Sequence, residues 1–87
     1  MARKSANSLV LESIRFVRFN KFSGPGIVDA LQSSPHLWAG VHFDDDSTIH
    51  VLAVKGREQE IVYLFEGLDP DELTWEVDNL LLRAWWD

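Results

Sequence analysis

No cysteine occurs anywhere in the chain. Disulfide frameworks and thiolate–zinc scaffolds are therefore excluded, and the fold must hold by packing and hydrogen bonding. Long apolar runs are missing as well. The longest nearly uncharged apolar stretch lies around Leu80 to Leu82, far short of the roughly 20 residues that cross a bilayer. The basic start, Met1-Ala2-Arg3-Lys4, is not followed by an apolar signal core of the usual length. There are no internal repeats, no low-complexity tracts and no linker to a second domain. Together these absences point to one small domain outside the membrane, and the lack of cysteine fits a reducing, cytoplasmic setting.

Familiar chemical signatures are also missing. Asp44-Asp45-Asp46-Ser47 lacks both the spacing of a calcium loop and its closing glutamate. Ser23-Gly24-Pro25-Gly26 precedes a helical segment, where an anion could sit, but no lysine follows at phosphate-loop spacing. His42 and His50 with Asp44 or Asp46 fall short of the three or four converging ligands that a metal requires. No serine, histidine and acid stand in a recognisable hydrolase pattern. No enzyme activity, cofactor or metal is expected.

What is present is uneven charge and abundant apolar surface. The 87 residues carry a net charge of −6. Residues 1–43 hold five basic side chains against two acidic ones, a net of +3, whereas residues 44–87 hold three against twelve, a net of −9. The acidic half should repel nucleic acid and attract basic protein surfaces. The exception is a basic and aromatic run, in which Arg15, Arg18 and Lys21 interleave with Phe16, Phe19 and Phe22, a mixture that suits single-stranded nucleic acid.

Local patterns give the expected elements. Residues 9–22 are rich in β-branched and aromatic side chains and read as a bulged strand. A helix is the alternative there, because Val10, Ile14 and Val17 share a helical face. Residues 27–33 read as a short helix behind Pro25 that ends before Pro35. Residues 37–43 and 48–55 read as a hairpin around Asp44, Asp45 and Asp46. Pairing Val41 with Ile49, Ala39 with Val51 and Leu37 with Ala53 makes one face wholly apolar. The other face then carries Trp38, Gly40, His42, His50 and Leu52. Residues 60–66 read as a third strand. Asp69, Pro70 and Glu72 look like a capping box and start a helix running to about Trp86. On that helix Leu73, Val77, Leu80, Leu81 and Ala84 form one apolar stripe, and Trp75, Leu82 and Trp86 form a second, opposite one.

The expected fold is therefore α+β: a small, mainly antiparallel sheet in the order β-α-β-β-β-α, with a long C-terminal helix packed on one face. Residues 1–8 are expected to form a flexible tail and residues 9–87 a single domain. From residue 27 onward, this order resembles the topology of double-stranded-RNA-binding domains, whose last helix presents lysines where this one presents acids. The expected function is non-enzymatic: a small acidic binder or inhibitor of a protein partner, whose own surface is basic. The expected contact residues are Trp75, Leu82, Trp86, Trp38, Asp44, Asp45 and Asp46, with tryptophan as the anchor. A self-associating homodimer and a nucleic-acid-binding domain using residues 15–22 are the alternatives. No small-molecule substrate and no membrane partner are expected.

Overall fold

A computed structural model describes residues 6–19, 21–44, 47–77 and 80–87. The chain begins in a helix, α1 (Ala6–Ile14), followed by a minimal ladder of β1 (Arg18–Phe19) and β2 (Phe22–Ser23). Residues 9–22 are thus mainly a helix and a tiny hairpin, not one bulged strand. Leu11 and Ile14 are buried and Val10 is half-buried, so the stripe that argued for a helix is the one that packs. The Phe16-Val17 pair that broke strand alternation lies in the turn after α1, where the Val17 amide donates to the Ile14 carbonyl at 2.8 Å. Residues 1–5 of the expected tail lie outside the described residues, and the helix starts at Ala6.

Helix α2 (Gly24–Ser33) starts directly from β2, with Pro25 in its first turn. Ile27, Val28 and Leu31 are buried on one face. Its first residue makes the closest approach in the fold. The Gly24 amide donates to the Val17 carbonyl at 2.8 Å. A methyl group at Gly24 would overlap the Ile14 carbonyl oxygen and stand 2.7 Å from that of Val17. Only glycine lets α1 and α2 meet there.

Strands β3 (Trp38–Asp44) and β4 (Thr48–Ala53) form the expected hairpin, with its register displaced by two residues. Val41 pairs with Val51 and Phe43 with Ile49. A shift of two preserves which face each side chain takes, so facial patterning alone could not tell the two registers apart. The observed one gains the Phe43–Ile49 pair and leaves Ser47 in the left-handed region at φ 65°. A second correction concerns Trp38. The register slips between Trp38 and Gly40, and Trp38 pairs with the buried Ala53. This bulge turns the indole toward the core side, where its Nε1–H donates to the Leu31 carbonyl at 2.8 Å.

The second half of the chain departs further from expectation. Residues expected as a third strand form helix α3 (Glu58–Glu66), with Glu58 and Glu60 in its first turn. Ile61 and Phe65, four apart, are buried together. The expected C-terminal helix is instead a hairpin of β5 (Glu72–Glu76) and β6 (Leu81–Trp85). Asp69 cannot act as an N-cap, because its φ is 57° and a capping residue needs extended backbone. Its amide instead donates to the Glu66 carbonyl at 3.1 Å and helps to close α3. Strand alternation merges the two expected stripes: Leu73, Trp75, Leu82 and Ala84 all join the core side.

The four longer strands form one antiparallel sheet in the order β3-β4-β6-β5. The class is α+β with a small antiparallel sheet, as expected, but the element order and the C-terminal helix are not. The order helix, three strands, helix is absent, so the RNA-binding-domain topology falls away. One sheet face and all three helices share a single core. Trp86, 2% exposed, sits within it, edge-on to Phe22 at 5.5 Å and 6.4 Å from Phe65. None of the described helices is long and apolar enough to cross a membrane.

A polar clasp joins the two halves. The Asp71 carboxylate accepts from the Asp87 amide at 2.7 Å and from the Lys21 ammonium at 3.0 Å. Lys21 in turn donates its own amide to the Asp87 carbonyl at 2.9 Å. The Asp87 amide, then Lys21, hold Asp71 below its ordinary 3.8. The bond to Asp71 holds Lys21 above its ordinary 10.5.

Two outcomes follow. Gly24→Ala should destabilise by at least about 1–3 kcal/mol, because backbone atoms must move. Gly26→Ala, whose methyl would meet Ser23 Oγ at an ordinary 3.6 Å, should instead stabilise by about 0.5–1 kcal/mol. Urea midpoints of opposite sign would confirm the pair, and equal losses would refute the close-approach argument. The clasp predicts a pH dependence. Asp71's stabilisation is complete above pH 3.8 and vanishes as pH falls through its lowered folded value, while that of Lys21 is complete below 10.5 and vanishes as pH rises through its raised one. The stability gap between wild type and Asp71→Asn should be steady between these limits and narrow at both ends.

Candidate functional site

Of the seven residues expected to bind a partner, the five that are described do not come together. Leu82 and Trp86 are core residues, 1% and 2% exposed. The Trp86 indole N–H is taken by the Leu68 carbonyl at 3.0 Å. An exposed hot spot on a helix is therefore excluded for both. Trp38 is half-buried and hydrogen-bonded to α2. Asp44 belongs to the opposite sheet face, and Asp45 and Asp46 lie outside the described residues. Trp75 is the one that remains accessible at a groove.

The sheet face away from the helices carries a row of His42, His50, Arg83 and Thr74, one from each strand. His42 and His50 are directly paired rather than diagonal, with ring centroids 6.2 Å apart. His42 Nε2 lies 3.0 Å from Asp44 Oδ1, and His50 Nε2 lies 3.1 Å from Glu76 Oε1. His50 Nδ1 is 3.4 Å from Asp44 Oδ2 but is not aligned to hydrogen-bond with it. Arg83 pairs with Glu72 at 3.0 Å. Arg83–Glu72 is a cross-strand ion pair of the kind that braces a solvated sheet face, whereas His42–Asp44 lies within β3 and His50–Glu76 reaches across β6. Among the described residues, no group of three or more histidines and carboxylates is placed to hold a metal.

The basic and aromatic run also disperses. Phe22 is core, Arg15 reaches Gln32 and Asp29, and Lys21 is held by Asp71. Only the backbone of Phe19 is described. Phe16, 86% exposed, and Arg18 remain at the surface.

The feature that sequence reasoning missed lies between α3 and β5. On α3, Glu58, Val62 and Glu66 recur every four residues and form one stripe, flanked by Gln59 and Tyr63. Trp75 of β5 lines the same concavity. It holds about 690 Å³ and is open to solvent. A second concavity shares Val62, Glu66 and Trp75 with it and runs on past Asp69, Asp71 and Leu73. The two make one continuous groove, with acids along its walls and apolar side chains on its floor. Among the described residues, neither lysine nor arginine lines it. Arg57 pairs with Glu60 and Lys21 with Asp71, whereas Glu66 and Asp69 have no ion-pair partner among the described residues. The Trp75 indole N–H likewise has no acceptor among the described residues, in contrast to those of Trp38 and Trp86. The missed signal was the acidic first turn at Glu58 and Glu60, which marks residues 58–66 as a helix and not as a strand beginning at residue 60.

Against this geometry, the chain matches no family model, no curated protein and no solved structure.

The two indoles should separate cleanly on substitution. Trp86→Ala should cost about 3–5 kcal/mol, a large share of the roughly 5–15 kcal/mol total of ordinary domains, and shift the unfolding midpoint far down. Trp75→Ala should keep a cooperative transition and the native spectrum. Circular dichroism with urea denaturation decides. If both variants unfold alike, Trp75 is a core residue and the groove has a structural purpose only.

Proposed function

We propose that this chain is a non-enzymatic protein-binding module whose groove between α3 and β5 receives a basic segment of a partner protein. The observation that carries the reading is the groove's composition: Trp75, Val62 and Leu73 beneath Glu58, Glu60, Glu66, Asp69 and Asp71, with no lysine or arginine among the described residues that line it. An aromatic floor supplies apolar area and a face for a cation, and the carboxylates supply charge complementarity. Being open along its length, the groove suits a stretch of polypeptide better than an enclosed small molecule. The net of −9 over residues 44–87 would steer a basic partner toward it. Occupying a basic surface is how a small acidic protein would inhibit its partner. The cysteine-free composition supports a cytoplasmic setting for the encounter.

The test begins with capture from source cells on wild-type bait and on a Glu60→Lys, Glu66→Lys double variant. The captured protein is then titrated into the isotope-labelled chain and followed by NMR. Expected are loss of the partner from the charge-reversed bait, weakening with salt, and shifts confined to α3 and β5. A partner held equally by both baits, or shifts confined to the face of His42 and His50, would remove the groove from the account.

A further inference from the structure

The free edge of β5 narrows the partner to one conformation. The Leu80 carbonyl accepts from the Ala53 amide at 3.0 Å, and the Trp86 amide donates to the Ser47 carbonyl at 3.2 Å. The even-numbered residues of β6 therefore turn their backbone polar groups toward β4. Leu81, Arg83 and Trp85 turn theirs toward β5, where they pair with Glu76, Thr74 and Glu72. The bond from the Asp71 amide to the Trp85 carbonyl, at 2.8 Å, agrees with this. Alternation along β5 then leaves Leu73 and Trp75 with N–H and C=O directed away from the sheet. Neither has a backbone partner on that side among the described residues.

We infer that the partner segment binds extended, adding a fifth strand to the sheet along β5. The inference rests on the groove reading above and specifies what enters the groove. Leu73 and Trp75 supply the hydrogen bonds, as in other cases of strand addition. The incoming side chains then alternate. Those beside Leu73 and Trp75 face the groove and meet Trp75 and Val62, so they are apolar. Those on the other face lie beside Glu72, Thr74 and Glu76, so they are lysine or arginine. Arg83 and His50 already contact Glu72 and Glu76 from the sheet side, and each carboxylate retains further lone pairs for a second cation. A second copy of this chain is a poor occupant. Full-length antiparallel pairing of two β5 strands would set Glu72 of each copy opposite Glu76 of the other, and like charges directly opposite destabilise a ladder.

The test uses a short synthetic peptide alternating lysine and valine, and the same peptide with its sheet-facing amides N-methylated. Hydrogen exchange and NMR titration are read on the wild-type chain and on the Glu60→Lys, Glu66→Lys variant. The inference expects protection of the Leu73 and Trp75 amides by the unmodified peptide. N-methylation should weaken binding by about tenfold or more, from the loss of backbone hydrogen bonds. Equal binding of both peptides at the groove, without that protection, overturns the strand geometry and leaves the groove reading standing. Shifts that map elsewhere, or binding indifferent to the Glu60 and Glu66 reversals, overturn both. No measurable binding of the unmodified peptide at low salt overturns the strand inference.

Discussion

The fold depends on enclosing one indole. Trp86 follows β6 directly, and its ring meets Phe22 of β2 and Phe65 of α3. Its N–H donates to the Leu68 carbonyl just beyond α3. One side chain thus joins the start of the molecule, its third helix and its last strand. Phe43 of β3 extends the cluster through Phe22, at 5.3 Å. A buried indole without an acceptor would leave a desolvated donor, so the Leu68 carbonyl fixes the end of α3 as firmly as the ring packing does. This in turn sets where α3 lies against β5, and with it the groove.

Much of the first half of the fold was legible in sequence and much of the second was not, for a common reason. Local rules succeeded where tertiary contacts agree with them. Gly24, Pro25 and Pro35 bracket α2, and alternation in residues 37–53 gave the hairpin and its core face. They failed where tertiary contacts override propensity. Asp69-Pro70-Asp71-Glu72 carries every mark of a helix start, yet Asp69 closes the preceding helix at positive φ and Asp71 is spent on Lys21 and Asp87. Leu73, Trp75, Leu82, Ala84 and Trp86 satisfy a helical and a strand pattern equally well once a turn is allowed between them. The Asp78-Asn79 pair was the available turn signal. Residues 61–65 are apolar throughout, a run that suits a strand and a helix alike, and the joint burial of Ile61 and Phe65 shows that the helical period won.

The same failure explains why the expected contact surface dissolved. Two apolar stripes on one helix imply an excess of greasy surface, whereas on the hairpin Leu73, Trp75, Leu82 and Ala84 share the inward face, and Val77 and Leu80 near the turn stay exposed. Trp75 is the member of the second stripe that still borders a groove, with Tyr63 beside it. The charged face of the sheet is the opposite case. His42, His50 and Arg83 look reactive when listed along the sequence, but in space each is matched to a carboxylate contributed by its own strand or another. A cluster already paired within itself offers a ligand less than a groove in which Glu66 and Asp69 have no ion-pair partner among the described residues.

Charge asymmetry along the chain becomes asymmetry in space through the sheet order. Because β6 inserts between β4 and β5, the C-terminal hairpin places β5 at the edge farthest from β3 and from α1, which packs beside β3. The acids of β5 are thereby set apart from α1, and Lys21 is an early basic residue that reaches the acids beside them. The Lys21–Asp71 clasp is where the two halves are stitched together. An exposed strand edge is ordinarily a hazard, since it templates pairing with any other chain. On the strand-addition proposal, the acids that keep the edge soluble would also make it selective. Glu72 and Glu76 repel an identical strand, while the carboxylates of α3 raise the local concentration of cations. On the strand-addition proposal, keeping β5 unpaired and making it discriminating would be a single physical solution, resting on α3 as the helix whose stripe of Glu58, Val62 and Glu66 overlooks that strand.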